Sequence, residues 1–351
     1  MAKTENVATN AIFDFSVLRK TIALPRREVA SILRLALNGT FMLSDPGSGA
    51  AGTVGGAAPA PLTPLGLIQE LAIKKNPAGM QGALVFNSAS LALLQNVVIP
   101  LKRRIAARTA VASGAAGTKT VYAELMLPYS LPGDKGAAAT PMAGVESWDV
   151  EVNGQAAAAT ARDAVLTSCT MTFAYGTLNV NATIEFADAL PGGPLMEIAC
   201  SYDRINLDVA DKKAEIKSIS PGEVPILHVM QAWDNNARAA LAGTVTSPAW
   251  IEASYGAGEP YYQTREAENP IEMAGRYGIP DGSMPTGCYF VDPVAVFGGI
   301  EKVPLVGASG GTPTLRFRLG SAATSPAFVD VLSIRGRWTA AGLAALAKRA
   351  S

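Results

Sequence analysis

The stretch Leu178–Phe186, LNVNATIEF, alternates without a break. Leu178, Val180, Ala182, Ile184 and Phe186 fall on one side of an extended chain, and Asn179, Asn181, Thr183 and Glu185 fall on the other. A period of two puts one face on a core and one in water, which marks a β-strand. The same grammar recurs in Val29–Leu37, Val121–Tyr129, Met171–Tyr175, Glu215–Ile219, Pro225–Met230, Leu315–Leu319 and Phe328–Ile334. Short strands punctuated by Gly, Pro, Asn and Asp predict sandwiches or barrels. Function is therefore expected in surfaces and assembly before any active site.

Composition narrows the classes. With 351 residues the chain can bury a large core, and two domains are expected. The 29 basic residues balance the 29 acidic ones, so there is no broad basic footprint for nucleic acid. The 34 Gly and 23 Pro fit a chain with many turns. Cys169, Cys200 and Cys288 are odd in number and lack CxxC spacing, so three buried thiols in a reducing compartment are expected, without a disulfide framework or zinc site. Residues 1–10 lack the apolar run of a secretory signal, and no apolar stretch is long enough to predict a transmembrane helix.

Two strand blocks organise the chain. The segmentation predicts an N-terminal arm at 1–24, a first sandwich at 25–206, a polar linker at 207–214 (LDVADKKA), a second sandwich at 215–338 and a C-terminal helix at 339–351 capped by Thr339. Within the arm, Asn10 is expected to cap a short helix through Phe13, Val17 and Leu18. Asn38-Gly39 predicts a turn or bulge. Leu65–Lys75 reads as a short helix or a strand, Leu91–Val98 as helical, and 231–243 (QAWDNNARAALAG) as a short helix. Residues 254–287 read as a long loop-rich region of the kind that serves function or interfaces. The candidate interface residues are Arg19, Lys20, Arg26 and Arg27 beside the arm, and Tyr255, Tyr261, Tyr262 and Tyr277 in the long loop.

Several motifs match catalytic patterns in letters only. Gly47–Gly52 fits GxGxxG, yet a Gly/Pro-rich run follows where a phosphate-binding helix must start. Gly114–Thr120 places Thr118 between the second Gly and Lys119, which breaks the phosphate-loop spacing. Gly307–Gly311 fits GxSxG around Ser309, but a strand follows it and the sole histidine, His228, lies upstream. His228 sits within a strand without acid or thiol neighbours in sequence, and reads as a structural side chain. The acid pairs Asp208/Asp211 and Glu266/Glu268 read as solvated charges. Asn38-Gly-Thr40 and Asn181-Ala-Thr183 match the glycosylation acceptor only by coincidence. No catalytic residue, metal or cofactor is assigned.

Residues 26–100 carry a resemblance. REVASILRLALNGTFML, a Gly/Pro-rich gap and PLGLIQELAIKKNPAGMQGALVFNSASLALLQNVV resemble the front of double jelly-roll major capsid proteins of tailless icosahedral bacteriophages. Asn76-Pro-Ala-Gly79 stands where those proteins place an Asn-Gly turn, a departure from the pattern. The resemblance implies a mainly β fold of two jelly-roll sandwiches in tandem, with short helices and long loops. It further implies a homotrimer whose six lobes make a pseudo-hexagonal tile. The partners implied are neighbouring capsomers, penton and minor capsid proteins and an internal lipid membrane, without sequence-specific nucleic acid. The place implied is the virion capsid, assembled in the host cytoplasm. Two alternatives stay open: a tailed-phage-type shell protein, which needs a long spine helix, and a carbohydrate-binding β-sandwich using Trp148, Trp233, Trp250, Trp338 and the tyrosines at 255–277 as a platform.

Overall fold

A computed structural model of the chain describes residues 3–6, 11–14, 19–25, 29–44, 68–76, 83–87, 93–94, 96–97, 117–128, 140–141, 146–154, 172–187, 196–234, 237–280, 284–307, 311–321 and 327–350. The described residues form two compact units, the first ending at Ala187 and the second opening at Met196, with Thr140 alone of the earlier residues grouped with the second.

The first unit holds β1 (Lys3–Asn6), β2 (Ala11–Asp14), β3 (Arg19–Ala23), β4 (Val29–Ser44), β5 (Ile68–Asn76), β6 (Ala83–Asn87), β7 (Gly117–Pro128), β8 (Thr140–Pro141), β9 (Ser147–Gly154) and β10 (Thr172–Ala187). One sheet runs β1-β10-β4-β7, with β2 also on β10, and the other runs β3-β9-β5-β6. Residues at alternate positions fill the core: Leu71 and Ile73 on β5, Val150 and Val152 on β9, Ala182 and Ile184 on β10. The last pair lies in the alternating stretch that predicted this strand.

The second unit holds β11 (Met196–Asn206), β12 (Asp211–Glu215), β13 (Glu223–Asp234), β14 (Ala237–Arg238), β15 (Trp250–Tyr255), β16 (Tyr262–Arg265), β17 (Cys288–Val291), β18 (Pro313–Arg318) and β19 (Ala327–Trp338). Its sheets run β11-β19-β13, with β14 and β17 on β13, and β12-β18-β15-β16. Helices α1 (Asn269–Tyr277), α2 (Pro293–Phe297) and α3 (Ala340–Ala350) complete it.

Counting β1 with β2 as one strand, and setting β8 and β14 aside, each unit has eight principal strands among the described residues. In chain order both units then have one sheet 1-8-3-6 and another 2-7-4-5, with antiparallel neighbours. That order is the eight-stranded jelly roll, built twice.

This order corrects the segmentation. The predicted arm supplies the first two strands of the first roll: β1 and β2 pair with β10, and β3 with β9. Ala11–Asp14 is strand, so the expected helix through Phe13 is absent there, and Ile22 and Leu24 are buried. The second half of the predicted linker, 211–214, lies in β12, which is paired residue for residue with β18. Met196–Asn206, assigned by sequence to the first block, pairs along its whole length with β19 and opens the second roll.

Three local expectations also change. Asn38-Gly39 makes no turn, because Asn179 and Leu178 hold it from one side and Tyr122 and Val121 from the other. The helix expected at 231–243 is strand through Asp234, because Ala232 and Trp233 pair with Val329 and Phe328. The loop-rich stretch 254–287 contains β16 and α1. Pro270 in the first turn of α1 and a left-handed Gly278 after its last were the overlooked helix signals. Ile68–Asn76 is strand, while Leu93, Leu94, Asn96 and Val97 are helical and buried. Thr339 caps α3 as expected, with its hydroxyl accepting from Gly342 N–H at 3.1 Å.

Candidate functional site

Among the described residues, His228, Cys200 and Cys288 are buried. His228 lies opposite Ser333 on β19, and its Nδ1 shares a 2.8 Å hydrogen bond with Ser333 Oγ. Burial pushes its pKa down from 6.5 to about 4, which holds the ring neutral. Cys200 and Cys288 are buried, and burial pushes the Cys200 thiol up to about 12. Such a thiol is a poor nucleophile. No group of three or more metal-ligating side chains occurs among the described residues.

The matched motifs gain no chemistry. Gly117–Thr120 is the start of β7, with Lys119 opposite Phe41, so it forms no phosphate loop. Gly47–Gly52, residues 114–116, Ser309, Cys169, Arg26 and Arg27 lie outside the described residues. The paired acids hold structural partners. Asp208 bonds Lys212 at 2.6 Å, Asp211 pairs with Arg316, Glu268 with Arg265, and Glu266 accepts from Tyr289 Oη at 3.5 Å.

The interface candidates separate into different roles. Tyr262 and Tyr277 are buried inside the second unit. Tyr262 Oη donates to Glu272 at 2.9 Å and accepts from Asn269, while Tyr277 Oη donates to Asp292 at 3.0 Å and its ring meets Phe290 edge-on. Both hold α1 onto the sheets. Tyr255 and Tyr261 form a half-buried cluster with Phe297, with ring centroids 5.1–6.4 Å apart. Lys20 pairs through its backbone with Val152 on β9. Arg19 is exposed and donates to Glu151 at 2.6 Å, beside Lys74 at 2.8 Å. Lys74 and then Arg19 hold Glu151 below the usual carboxylate range. Those two long side chains, rather than the interior, cover the carboxylate, so solvent screens the triad.

Three further carboxylates were missed by sequence reasoning. Asp330 is buried and accepts from Tyr202 Oη and Arg204 Nε at 2.7 Å, Trp233 Nε1 at 2.9 Å and Arg204 Nη2 at 3.1 Å. Arg204 also stacks 4.1 Å above the Phe328 ring centroid. Glu223 accepts from Arg335, from Arg337 at 3.0 Å and from Ser220 N–H at 3.0 Å, fixing the turn before β13. Glu252 holds Arg318 and Gln263, with Arg316 at 3.5 Å. The available signal was Arg316-Phe-Arg318 and Arg335-Gly-Arg337, since a two-residue step puts both guanidiniums on one face of a strand.

A tryptophan platform does not form. Trp148 and Trp233 are buried, whereas Trp250 and Trp338 are half-buried on separate sheets of the second unit. Trp250 lies between Arg265 and Arg318, whose guanidinium carbons stand 5.3 and 5.7 Å from its ring centroid.

The surface offers apolar loop tips. Between β11 and β12, Val209 is 52% exposed, and between β14 and β15, Val245 is fully exposed. These loops meet through the segment after β18: Leu319 N–H donates to Ala210 O at 2.7 Å and Gly320 N–H to Ala242 O at 2.8 Å. On α1, Ile271 is 70% exposed.

No protein-family model and no curated protein sequence matches the chain. Solved structures match it over nearly its whole length. A chain from the atomic structure of Sulfolobus Turreted Icosahedral Virus aligns with a TM-score of 0.65 at 15% identity, covering 99% of this chain and 96% of that one. The major capsid protein P2 from bacteriophage PM2 aligns with a TM-score of 0.57 at 12% identity, covering 97% and 99%. A chain of the PBCV-1 virus capsid aligns with a TM-score of 0.52 at 11% identity, covering 96% and 94%. The shared feature is the fold, two jelly rolls in tandem.

Proposed function

We propose that this chain, folded as the double jelly roll of those viral proteins, is a structural major capsid protein. Trimers of it would present six jelly-roll lobes as a pseudo-hexagonal capsomer of an icosahedral virion. The observation that carries this reading is the match over both rolls to chains of viral structures, spanning 97–99% of this chain and 96–99% of those chains. The chemistry agrees with a non-enzymatic role. The buried histidine, thiols and carboxylates described above serve the scaffold, and exposed apolar tips such as Val209 and Val245 suit contacts between copies. Balanced charge suits dense packing of many like subunits.

The partners in this reading are neighbouring capsomers, penton and minor capsid proteins and an internal membrane. The place of assembly is the host cytoplasm. The jelly-roll strand order of both units speaks against the tailed-phage alternative. Electron microscopy of concentrated protein, with sedimentation of the dilute form, tests the proposal. Trimers and hexagonal tiles or closed shells are expected. A monomer that never assembles at any concentration would overturn it.

A further inference from the structure

β6 differs from the other edge strands. An edge presents unpaired backbone N–H and C=O groups, and proteins blunt it with charge, with a cover or by keeping it short. Of the edge strands of four residues or more, β1, β2, β3, β7, β11, β12 and β16 each carry at least one charged residue. β17 carries none, but its edge is covered. The Asn269 side chain on α1 donates to Phe290 O at 2.7 Å and accepts from Phe290 N–H at 2.9 Å, where a further strand would pair. β6 (ALVFN) carries no charge either, and on the side away from β5 it has no strand partner among the described residues. Its counterpart in the second roll, β16, is blunted by Arg265, whose side chain is 51% exposed.

The residues of β6 suit one occupant of that edge. Phe86 is buried, so alternation puts residue 84 on the same interior side and Val85 on the outer side. Val85 is 55% exposed, with Ala72 opposite it on β5. Laid antiparallel on a second copy of itself about Val85, β6 is self-complementary. Residue 84 then stands opposite residue 86, both on the interior side, and Val85 stands opposite its own equivalent. A cross-strand pair of β-branched residues is favourable, and no like charges are opposed. The edge strand β12, laid on its own copy about Lys213, would set Lys213 against itself and Asp211 against Glu215.

We propose that β6 pairs with β6 of a second copy across a twofold axis, so that the β3-β9-β5-β6 sheet continues from one chain into the next. The proposal rests on the assembly reading above. A twofold contact has no place inside a threefold capsomer, so this one joins neighbouring capsomers. Five residues a side make a weak contact between free subunits, and many copies held in a shell strengthen it through effective concentration.

Full-length Val85→Cys and Ala257→Cys chains give the test, with the wild-type chain as the blank. Directly opposed residues of antiparallel strands lie within the span a disulfide bridges, whereas Ala257 is an exposed loop residue that reports random collision. After oxidation of assembled protein, the two-chain band on a non-reducing gel should be at least about tenfold stronger for Val85→Cys than for Ala257→Cys. Val85→Lys sets like charges face to face. Its subunits should melt with the wild type but form tiles or shells at least about tenfold less readily. Particles whose Val85→Cys band does not exceed the Ala257→Cys band, or Val85→Lys particles that form as readily as wild-type ones, would overturn the edge pairing and leave the capsid reading intact. An excess band without any particles would uphold the pairing and overturn the capsid reading. Neither excess band nor particles would overturn both.

Discussion

His228 and Ser333 face each other across β13 and β19, and their side chains share a 2.8 Å hydrogen bond inside the second roll. Burial alone lowers the histidine to about 4. The unfolded chain takes up a proton near 6.5, while the folded chain refuses it until about pH 4. Stability from this site is therefore complete above pH 6.5 and is lost as pH falls through that window, by at most about 3 kcal/mol. Thermal melts of the wild type between pH 7 and 4 should fall more steeply than those of His228→Asn. Equal slopes would mean that His228 is protonated in the folded state. At neutral pH, His228→Asn should leave assembly intact.

Asp330 receives four hydrogen bonds from three side chains. Asp330→Ala strands the Trp233 and Tyr202 donors and unpairs Arg204. The cost should be about 3 kcal/mol, toward the low end for a broken buried pair because Arg204 reaches solvent. Arg204→Ala should cost less than Asp330→Ala. Urea unfolding of both variants checks the order, and a reversed order would place the main anchor elsewhere.

Two glycines should respond in opposite directions. Gly287 has φ +70°, and a Cβ there would lie 2.1 Å from Ala239 O. Gly287→Ala must move backbone and should cost at least about 2 kcal/mol. Gly275 lies inside α1, and a Cβ there would meet nothing within 4 Å. Gly275→Ala should stabilise by about 0.5–1 kcal/mol, the ordinary helix-propensity gain. Differential scanning calorimetry of the two variants should show melting points shifted to opposite sides of the wild type.

Cys200 and Cys288 should resist alkylation in the folded protein and react at once in denaturant. Titration of denatured, unreduced chains should find three thiols, Cys169 included. A count of one would mean a disulfide.

The amino-acid sequence by itself determined the strands and their faces. The alternation in Leu178–Phe186 marked Ala182 and Ile184 as interior, and both are fully buried. Thr339 announced α3, and the resemblance in residues 26–100 pointed to the double roll. Pairing was beyond its reach. A period of two tells which way a side chain points, but not which distant strand supplies the ladder. Met196 meets Trp338, and Lys3 meets Phe186. Such long-range partners turned the presumed arm and linker into strands of the two rolls, and they held Asn38-Gly39 straight. The same limit hid the extended form of 231–234, since a central strand buried on both faces loses its alternation. Asp330, Glu223 and Glu252 look like ordinary surface acids until the fold brings arginine, tyrosine or tryptophan to them from far along the chain. Local sterics and hydrophobic period set the elements, while the choice among distant backbone partners, made by collective packing, set the tertiary structure.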